Sequence, residues 1–155
     1  MMTTLDIGGG IRPQTIFPGH TTVLEPHAEY REWLATNRPD VDVVAGEWAD
    51  AMRLFKPLSF AHVTLLDVIE HVEKGEALAL LNKTLDLARI SVVVFTPLGF
   101  IEQNPGEGGL DAWGLHGGEW QRHRSGWCRR DFEGWRVVVN DKPAIWATWT
   151  RSDAA

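Results

Sequence analysis

Three consecutive glycines and a downstream carboxylate are the residues whose types and spacing most directly suggest chemistry. Residues 5–14 read LDIGGGIRPQ, so Gly8 and Gly10 lie in a turn that follows a short apolar run. Glu25, in TVLEP, ends the next apolar run. A carboxylate at this distance from a glycine turn is the usual ligand of ribose hydroxyls in nucleotide-binding α/β folds. The two features together predict a ligand of the adenosine type.

The end of the same turn argues against a pyrophosphate. A dinucleotide-binding turn reads G-x-G-x-x-G, whereas residues 8–13 read GGGIRP, so Pro13 replaces the third glycine and has no N–H. Pro18 and Gly19 are expected to cut short the helix that would follow. Because a pyrophosphate needs free amides and the positive end of a sound helix, we expect a cofactor without phosphate.

The elements that would position these residues are short β-branched runs alternating with helical patterns. This alternation predicts a parallel sheet with helices on both faces. Strands are expected near residues 3–7, 21–25, 41–45, 60–66, 90–96, 135–140 and 144–150. Only a hairpin-sized gap separates the last two, so they should pair antiparallel at one edge. The expected fold is α/β, a Rossmann-like, doubly wound, mostly parallel seven-stranded sheet with an antiparallel C-terminal edge hairpin.

Three helices and one long loop should connect these strands. The helices are expected at about residues 27–36, 47–55 and 72–88. In the third helix, an apolar stripe is predicted from Leu78, Leu81, Leu85 and Ala88. Residues 98–127 are irregular and rich in Gly, Trp and His, which indicates a lid. The whole chain, residues 1–155, is expected to form a single domain.

Composition narrows the range of partners. The formal net charge of −6 and the lack of a long Lys/Arg cluster argue against nucleic acid. A single cysteine, Cys128, excludes an internal disulfide, and the N-terminus has no signal-peptide pattern. No apolar run approaches the roughly 20 residues of a membrane-spanning helix. We therefore expect a soluble, cytoplasmic protein with no membrane partner.

Tryptophans are frequent in the last third of the chain. Trp135, Trp146 and Trp149 fall in strand patterns, which favours the core or a subunit contact over a ligand cage. Contact between two copies of the chain in a homodimer is one way of burying these three tryptophans.

In their order along the chain, five segments resemble class I S-adenosylmethionine-dependent methyltransferases. LDIGGG is similar to the first motif of that family, VLEP to the acidic end of its second strand, and VVAGEWAD to its adenine-contacting loop. LLDVIEHVEKGEALALL resembles its fourth strand and the following helix, and TPLGF the end of its fifth strand. The resemblance covers about residues 3–100, and the later QRHRSGW resembles small bacterial members. It implies S-adenosylmethionine as cofactor and methyl transfer as the reaction.

The resemblance also implies which residues bind the cofactor. They are Asp6, Gly8, Gly10, Arg12, Glu25, Glu47, Trp48 and Asp67. Glu25 would bind the ribose hydroxyls, Glu47 would face the adenine amino group beside Trp48, and Asp67 would close the pocket. Asp6 and the glycines would line the methionine side. The family often has a glycine where this chain has Arg12, which either pairs with the methionyl carboxylate or points outward.

Methyl transfer from a sulfonium is an in-line displacement that requires alignment and, for a protonated acceptor, removal of a proton. His71, in DVIEH, lies where the fourth strand meets its helix, on the ligand side of such sheets. It is our candidate catalytic base or acceptor contact; the alternative is a helix-start residue that hydrogen-bonds the loop. The adjacent Glu70 is expected to favour a first helical turn for electrostatic reasons and not to be catalytic.

The lid offers side chains that suit an acceptor. In one interpretation His123 or Arg124 holds a polar or anionic acceptor, while Trp120 and Trp127 exclude water. In the other, HRSGW packs the lid on the sheet edge, and Ser125 caps a short helix near residues 129–132.

We expect no metal site in the lid. His116, Glu119, His123 and Cys128 are potential ligands, but their spacings match no zinc pattern.

Three functions are open on the sequence alone. The leading one is methyl transfer to a small-molecule or peptide acceptor. The second is a non-catalytic partner subunit that binds S-adenosylmethionine. The third is a nicotinamide-dependent reductase, suggested by the glycine turn and Glu25 but opposed by Pro13.

Overall fold

A computed structural model describes residues 1–152, and its seven strands form one sheet. The strands are β1 (Thr3–Ile7), β2 (His20–Glu25), β3 (Val41–Ala45), β4 (Phe60–Leu66), β5 (Ala88–Pro97), β6 (Arg136–Val139) and β7 (Ala144–Thr150). The α-helices are α1 (Ala28–Asn37), α2 (Ala51–Leu54) and α3 (Lys74–Thr84). The expected domain ran to residue 155, so its last three residues lie outside the described part of the chain.

The order of the strands in the sheet is β3-β2-β1-β4-β5-β7-β6. Strands β1 to β5 pair in parallel, whereas β7 is antiparallel to both β5 and β6. All seven residues of β4 are buried, as expected of a strand whose two faces are both covered. These pairings confirm the mostly parallel sheet with an antiparallel C-terminal edge.

The carboxyl ends of the parallel strands lie at one edge of the sheet, and the strand order reverses between β1 and β4. From β1 the chain continues to β2 and β3 on one side, and then to β4 and β5 on the other. Ligands of open α/β sheets bind in the crevice at such a reversal. The glycine turn after β1 and Asp67 after β4 therefore flank the crevice.

The connection from β1 to β2 differs from expectation. We expected a short helix after the glycine turn, but residues 8–19 contain no helix. The prolines at 13 and 18 lack the N–H that a helix interior requires, and buried Ile11 and Pro13 hold the loop against the protein instead. The phosphate-binding helix N-terminus that normally follows such a turn is thus missing here.

Helix α3 is shorter than predicted, and its buried face is different. Its buried residues are Ala77, Leu80, Leu81 and Thr84, whereas Leu78 is 38% exposed. Spacings of three, four and seven define this face, so the predicted stripe was wrong in placing Leu78 on it. Within residues 1–152, no helix has the length and apolarity needed to cross a membrane.

The tryptophans of the C-terminal hairpin are partly buried. Trp146 packs against Phe95 with ring centroids 4.6 Å apart, and the Arg151 guanidinium lies 5.1 Å from the ring centroid of Trp149. Trp135 contacts Phe132. They join neighbouring elements of this chain, which agrees with a packing role.

Candidate active site

A cleft with two adjoining lobes runs over the carboxyl ends of β1, β2 and β4. The larger lobe has a volume of about 500 Å³ and the smaller one of about 190 Å³. Gly8, Asp67, His71 and Gln121 line both lobes. Because these residues are shared, one elongated ligand can extend from the smaller lobe into the larger.

Glycine is required in the turn after β1 for two separate reasons. Gly8 and Gly10 have φ values of +67° and +58°, in the left-handed region that favours glycine. Gly9 instead lacks space: an added Cβ would lie 2.8 Å from the Val23 side chain and 2.9 Å from an Asp6 carboxylate oxygen. The sequence analysis gave no role to Gly9, because a glycine triplet does not reveal which member is tightly packed.

Glu25 is positioned by the backbone of the turn. Glu25 is only 3% exposed, and its two carboxylate oxygens accept hydrogen bonds from the N–H groups of Gly10 (3.0 Å) and His27 (2.9 Å). Burial raises the pKa of Glu25, and these two hydrogen bonds oppose the rise. A carboxylate has about four acceptor positions, so about two remain for a ligand.

Asp6 is a deeply buried acid of the larger lobe. It is 2% exposed and accepts a hydrogen bond of 2.8 Å from the Thr64 hydroxyl. Burial raises the pKa of Asp6 to about 7, with a smaller contribution of the same sign from Glu25. A ligand cation beside this carboxyl group would favour its ionised form.

The smaller lobe contains the residues expected to bind the adenine. Trp48 is 6% exposed, and its indole N–H donates to the Thr84 hydroxyl at 2.8 Å. Glu47 is exposed and precedes it in the lobe wall, and Tyr30 of α1 lines the same lobe. Arg124 also lines this lobe, away from the larger lobe in which an acceptor has room.

At the end of β4, Asp67 and Glu70 bring two carboxyl groups together. Asp67 has φ +56°, a strained value for a residue other than glycine, and its N–H donates to the Phe95 carbonyl at 2.9 Å. Glu70 is 2% exposed and accepts a hydrogen bond of 3.0 Å from the Thr96 hydroxyl. Burial, together with the nearby Asp67 carboxylate, raises the pKa of Glu70 to about 8.

His71 and His123 face each other beside these acids. Their ring centroids are 5.1 Å apart. The Nδ1 of His71 lies 3.3 Å from the Arg122 carbonyl oxygen, and the Nδ1 of His123 lies 2.6 Å from the Ile101 carbonyl oxygen. Burial lowers the pKa of His71 to about 4, so this ring is neutral near pH 7.

The lid is anchored at its base and crosses to α1. Gly99 donates an N–H bond of 2.7 Å to the Trp127 carbonyl, and the N–H groups of Arg124 and Ser125 both donate to the Glu70 carbonyl, at 2.7 and 3.1 Å. At the far side, the Tyr30 hydroxyl donates to Asp111. The lid segment between these anchors therefore covers the cleft.

Two aromatic side chains of the lid occupy different environments. Trp113 lies over the glycine turn, where a Cβ added to Gly10 would come within 3.1 Å of its ring, and it lines the larger lobe. Trp127 is 1% exposed and lies under the Lys74 ammonium, which is 4.0 Å from its ring centroid. The structure thus favours the packing role for Trp127 over acceptor binding.

Ser125 does not cap the short helical turn at residues 129–132, contrary to one of our interpretations. Its hydroxyl donates to the Ile69 carbonyl and accepts from the Trp127 indole N–H, whereas the Cys128 N–H at the start of the 129–132 turn donates to Asp131. Ser125 therefore fixes the base of the lid, and Asp131 caps the turn.

The remaining predicted residues are distributed between the lobes. Arg12 is exposed and lines the larger lobe, as does His123. His116 and Glu119 do not join His123: the former bonds Glu29, and the latter pairs with Arg122.

The sequence matches no protein-family model and no curated protein sequence. Solved structures with the same fold include a SAM-dependent methyltransferase from Archaeoglobus fulgidus (10% identity, 97% of this chain and 86% of that chain, TM-score 0.65). Another is the mitomycin 7-O-methyltransferase (18% identity, 97% of this chain, TM-score 0.62), of which this chain spans about half the length (49%). A Rhodobacter sphaeroides protein described as a Zn-dependent alcohol dehydrogenase also matches (13% identity, 97% of this chain and 84% of that chain, TM-score 0.70).

At these identities the comparisons establish the fold alone, and proteins named for two different reactions share it. The chain has the Rossmann-like fold of class I S-adenosylmethionine-dependent methyltransferases, with strand order 3-2-1-4-5-7-6 and antiparallel β7 between β5 and β6.

Proposed function

We propose that this protein transfers the methyl group of S-adenosylmethionine to an acceptor bound in the larger lobe. The observation that carries the proposal is the environment of Glu25 at the strand reversal. Its backbone-held carboxylate keeps about two acceptor positions beside a lobe of about 190 Å³ walled by Trp48 and Tyr30. A ribose diol and an adjacent adenine match these features.

The proposed cofactor contacts follow the cleft from one lobe to the other. They are Glu47 and Trp48 for adenine, Glu25 for ribose, and Asp6, Gly8, Gly10, Arg12 and Asp67 for the methionyl part. The missing helix after β1 supports a ligand without phosphate, because a pyrophosphate would find no helix N-terminus there.

Methyl transfer requires the acceptor atom in line with the carbon–sulfur bond, which the protein achieves mainly by alignment. Bound S-adenosylmethionine would supply the methyl carbon, which the acceptor's lone pair would attack while the electrons of the carbon–sulfur bond return to sulfur. His71 lines both lobes and is our candidate for contacting the acceptor or its proton. His123 is the proposed acceptor contact from the lid, and Arg124 a contact nearer the cofactor. Trp113 and the lid would exclude water from the reacting atoms.

Nicotinamide-dependent reduction, the third function that the sequence left open, is the natural competitor, and one matching structure is described as an alcohol dehydrogenase. Two observations oppose it in this chain. The classical dinucleotide fold has strand order 3-2-1-4-5-6, whereas here an antiparallel β7 lies between β5 and β6. In addition, Pro13 replaces the third glycine, and no helix follows the turn within residues 8–19.

Calorimetry and thermal unfolding test the proposal. S-adenosylhomocysteine at about 100 times its dissociation constant should stabilise the protein by about 2.7 kcal/mol, and NADH at equal concentration should not. Protein incubated with cell extract and methyl-labelled S-adenosylmethionine should then transfer label to an acceptor. Protection by NADH and not by S-adenosylhomocysteine would reject the proposal. Cofactor binding without label transfer would instead favour the non-catalytic partner subunit.

A further inference from the structure

One side-chain cluster in the larger lobe has a composition that the proposed cofactor does not require. Glu70, His71 and His123 each offer a ligand atom, and these atoms all lie within 4.8 Å of one another. All three residues line the larger lobe, and the carboxyl group of Asp67 adjoins that of Glu70. We propose that this cluster binds a divalent first-row transition metal ion.

The hydrogen bonds of the two histidines support this assignment. A carbonyl oxygen can only accept, so the Nδ1 atoms facing Arg122 and Ile101 must carry the ring protons. In the neutral form of each ring, Nε2 is then the nitrogen that carries no proton and can bind a metal ion. Among the described residues, the buried Nε2 of His71 has no hydrogen-bond partner. Donation of one ring N–H to a backbone carbonyl is the usual arrangement behind a metal-binding histidine.

The carboxyl groups supply the charge that the imidazoles lack. Glu70 is 2% exposed, and the hydrogen bond from the Thr96 hydroxyl uses one acceptor position on one of its carboxyl oxygens. Glu70 is buried, whereas Asp67 is exposed, and a cation between two adjacent carboxylates relieves their mutual repulsion. Two imidazoles with one or two carboxylates suit Zn²⁺, Fe²⁺ or Co²⁺ better than Mg²⁺ or Ca²⁺, which prefer oxygen ligands throughout.

The position of the cluster indicates what the metal would bind, and this step rests on the proposed function. His71 lines both lobes, so the ion would lie between the methyl donor and the space for the acceptor. A metal ion there would bind an acceptor oxygen, a hydroxyl or phenol, and favour its ionisation. The hydroxyl proton passes to solvent, the oxygen attacks the methyl carbon, and the donor leaves as a neutral thioether. The inferred substrate class is thus an oxygen acceptor.

Two separate chain segments must meet to form the cluster. Glu70 and His71 are neighbours in the turn after β4, whereas His123 arrives from the lid, more than 50 residues later. The lid segment carrying His123 is fixed by the N–H groups of Arg124 and Ser125 on the Glu70 carbonyl. Glu70 thereby positions the lid through its backbone carbonyl and would bind the ion through its side-chain carboxylate.

Metal titration of the whole chain, without cofactor or acceptor, tests the site. Protein stripped with a chelator should bind one Co²⁺ with a visible absorption band, and one equivalent of Zn²⁺ should displace it. His123→Ala should weaken Zn²⁺ affinity by roughly 100-fold or more, beyond the range for second-shell changes. The control is His20→Ala, because His20 is an exposed histidine of β2 that pairs with Asp42. This variant should bind Zn²⁺ with an affinity within about twofold of the parent.

A second variant removes the dependence on one lid residue. Glu70→Gln can still accept the Thr96 hydrogen bond, so the fold should survive while Zn²⁺ affinity falls at least tenfold. Chelator-stripped proteins are compared by thermal unfolding, to verify that each variant is folded. No stoichiometric binding to the parent protein, or equal affinity in the parent, His123→Ala and Glu70→Gln proteins, would overturn the metal site. Because no cofactor is present, this failure is distinct from a failure of S-adenosylhomocysteine to bind.

Discussion

Replacing Glu25 with glutamine tests the part of the cleft on which the proposed cofactor most depends. The carboxylate has about four acceptor positions, and the N–H groups of Gly10 and His27 use two of them. Glutamine keeps one oxygen and turns the other into a donor. Whichever way the amide is oriented, one backbone N–H then faces an NH₂ group, and one acceptor position for the ribose is lost.

The expected magnitudes follow from this count. Loss of one hydrogen bond to a charged acceptor weakens binding by about 1.5–3 kcal/mol, equivalent to about 10- to 150-fold in the dissociation constant of S-adenosylhomocysteine. The unpaired buried N–H lowers the free energy of unfolding by about 1–3 kcal/mol, and removal of a buried charge opposes that loss. We therefore expect a folded protein whose melting temperature falls by only a few degrees.

Isothermal titration calorimetry with S-adenosylhomocysteine measures the affinity, and unfolding without ligand measures the stability. Glu32→Gln is the matched control, because Glu32 is exposed on α1 and should bind the cofactor like the parent protein. If Glu25→Gln stays folded and its affinity changes less than twofold, Glu25 does not bind the ribose, and the proposed cofactor pose is wrong.

Three further changes test the fold around the cleft. The pKa of Asp6 is about 7 in the native state and 3.8 in the unfolded chain, so between these pH values the native state keeps a proton that the unfolded chain releases. The free energy of unfolding should therefore fall as pH rises from about 4 to 7. Chemical denaturation at several pH values should show a smaller fall in Asp6→Asn. Trp127→Ala should destabilise the protein by about 3–5 kcal/mol and lower the melting temperature by about 6–20 °C; a shift below about 2 °C would contradict its core position under Lys74. Gly9→Ala should cost about 1–3 kcal/mol, because its Cβ would crowd Val23 and Asp6; a stability equal to the parent in denaturant titration would show that the turn has room.

The centre of the sheet was predictable from sequence because β1 and β4 are buried on both faces. Such strands read as continuous β-branched and apolar runs, and β4 and β5 are the clearest examples. The short helix expected after the glycine turn was predicted wrongly, because the prolines at 13 and 18 exclude a helix there and do not merely shorten it. In α3, three leucines at several helical spacings left the buried face ambiguous, and Leu80 and Leu81 are the two that are buried.

The site was predictable only where neighbouring residues define it. Glu25 ends β2 and Asp67 directly follows β4, so the side of the sheet on which they lie could be derived from the strand order. Glu70 was assigned to a helical turn on electrostatic grounds, because nothing local reveals that a lid 50 residues away will bury it. The clue that sequence could offer was the adjacent Glu70-His71 pair, and its meaning depends on His123, which only the folded lid brings near.

A metal ion in this cluster would join the lid to the sheet, and this connection can be measured. His123 belongs to the lid and Glu70 to the turn after β4, so a shared ion adds a link parallel to the hydrogen bonds of the Arg124 and Ser125 amides on the Glu70 carbonyl. Opening of the lid base must then break the metal bond as well as these hydrogen bonds. Hydrogen exchange of both amides should accordingly slow when Zn²⁺ is added.

The amide of Asn140, which donates to the Ala144 carbonyl in the distant β6–β7 hairpin, provides the internal control and should exchange at an unchanged rate. In His123→Ala, Zn²⁺ should no longer slow exchange at the lid base, since the variant removes the only proposed ligand on the lid. Equal slowing in the parent and the variant would mean that the ion acts elsewhere. Slowing confined to the parent would show that ligand binding at Glu70, His71 and His123 governs how tightly the lid covers the cleft.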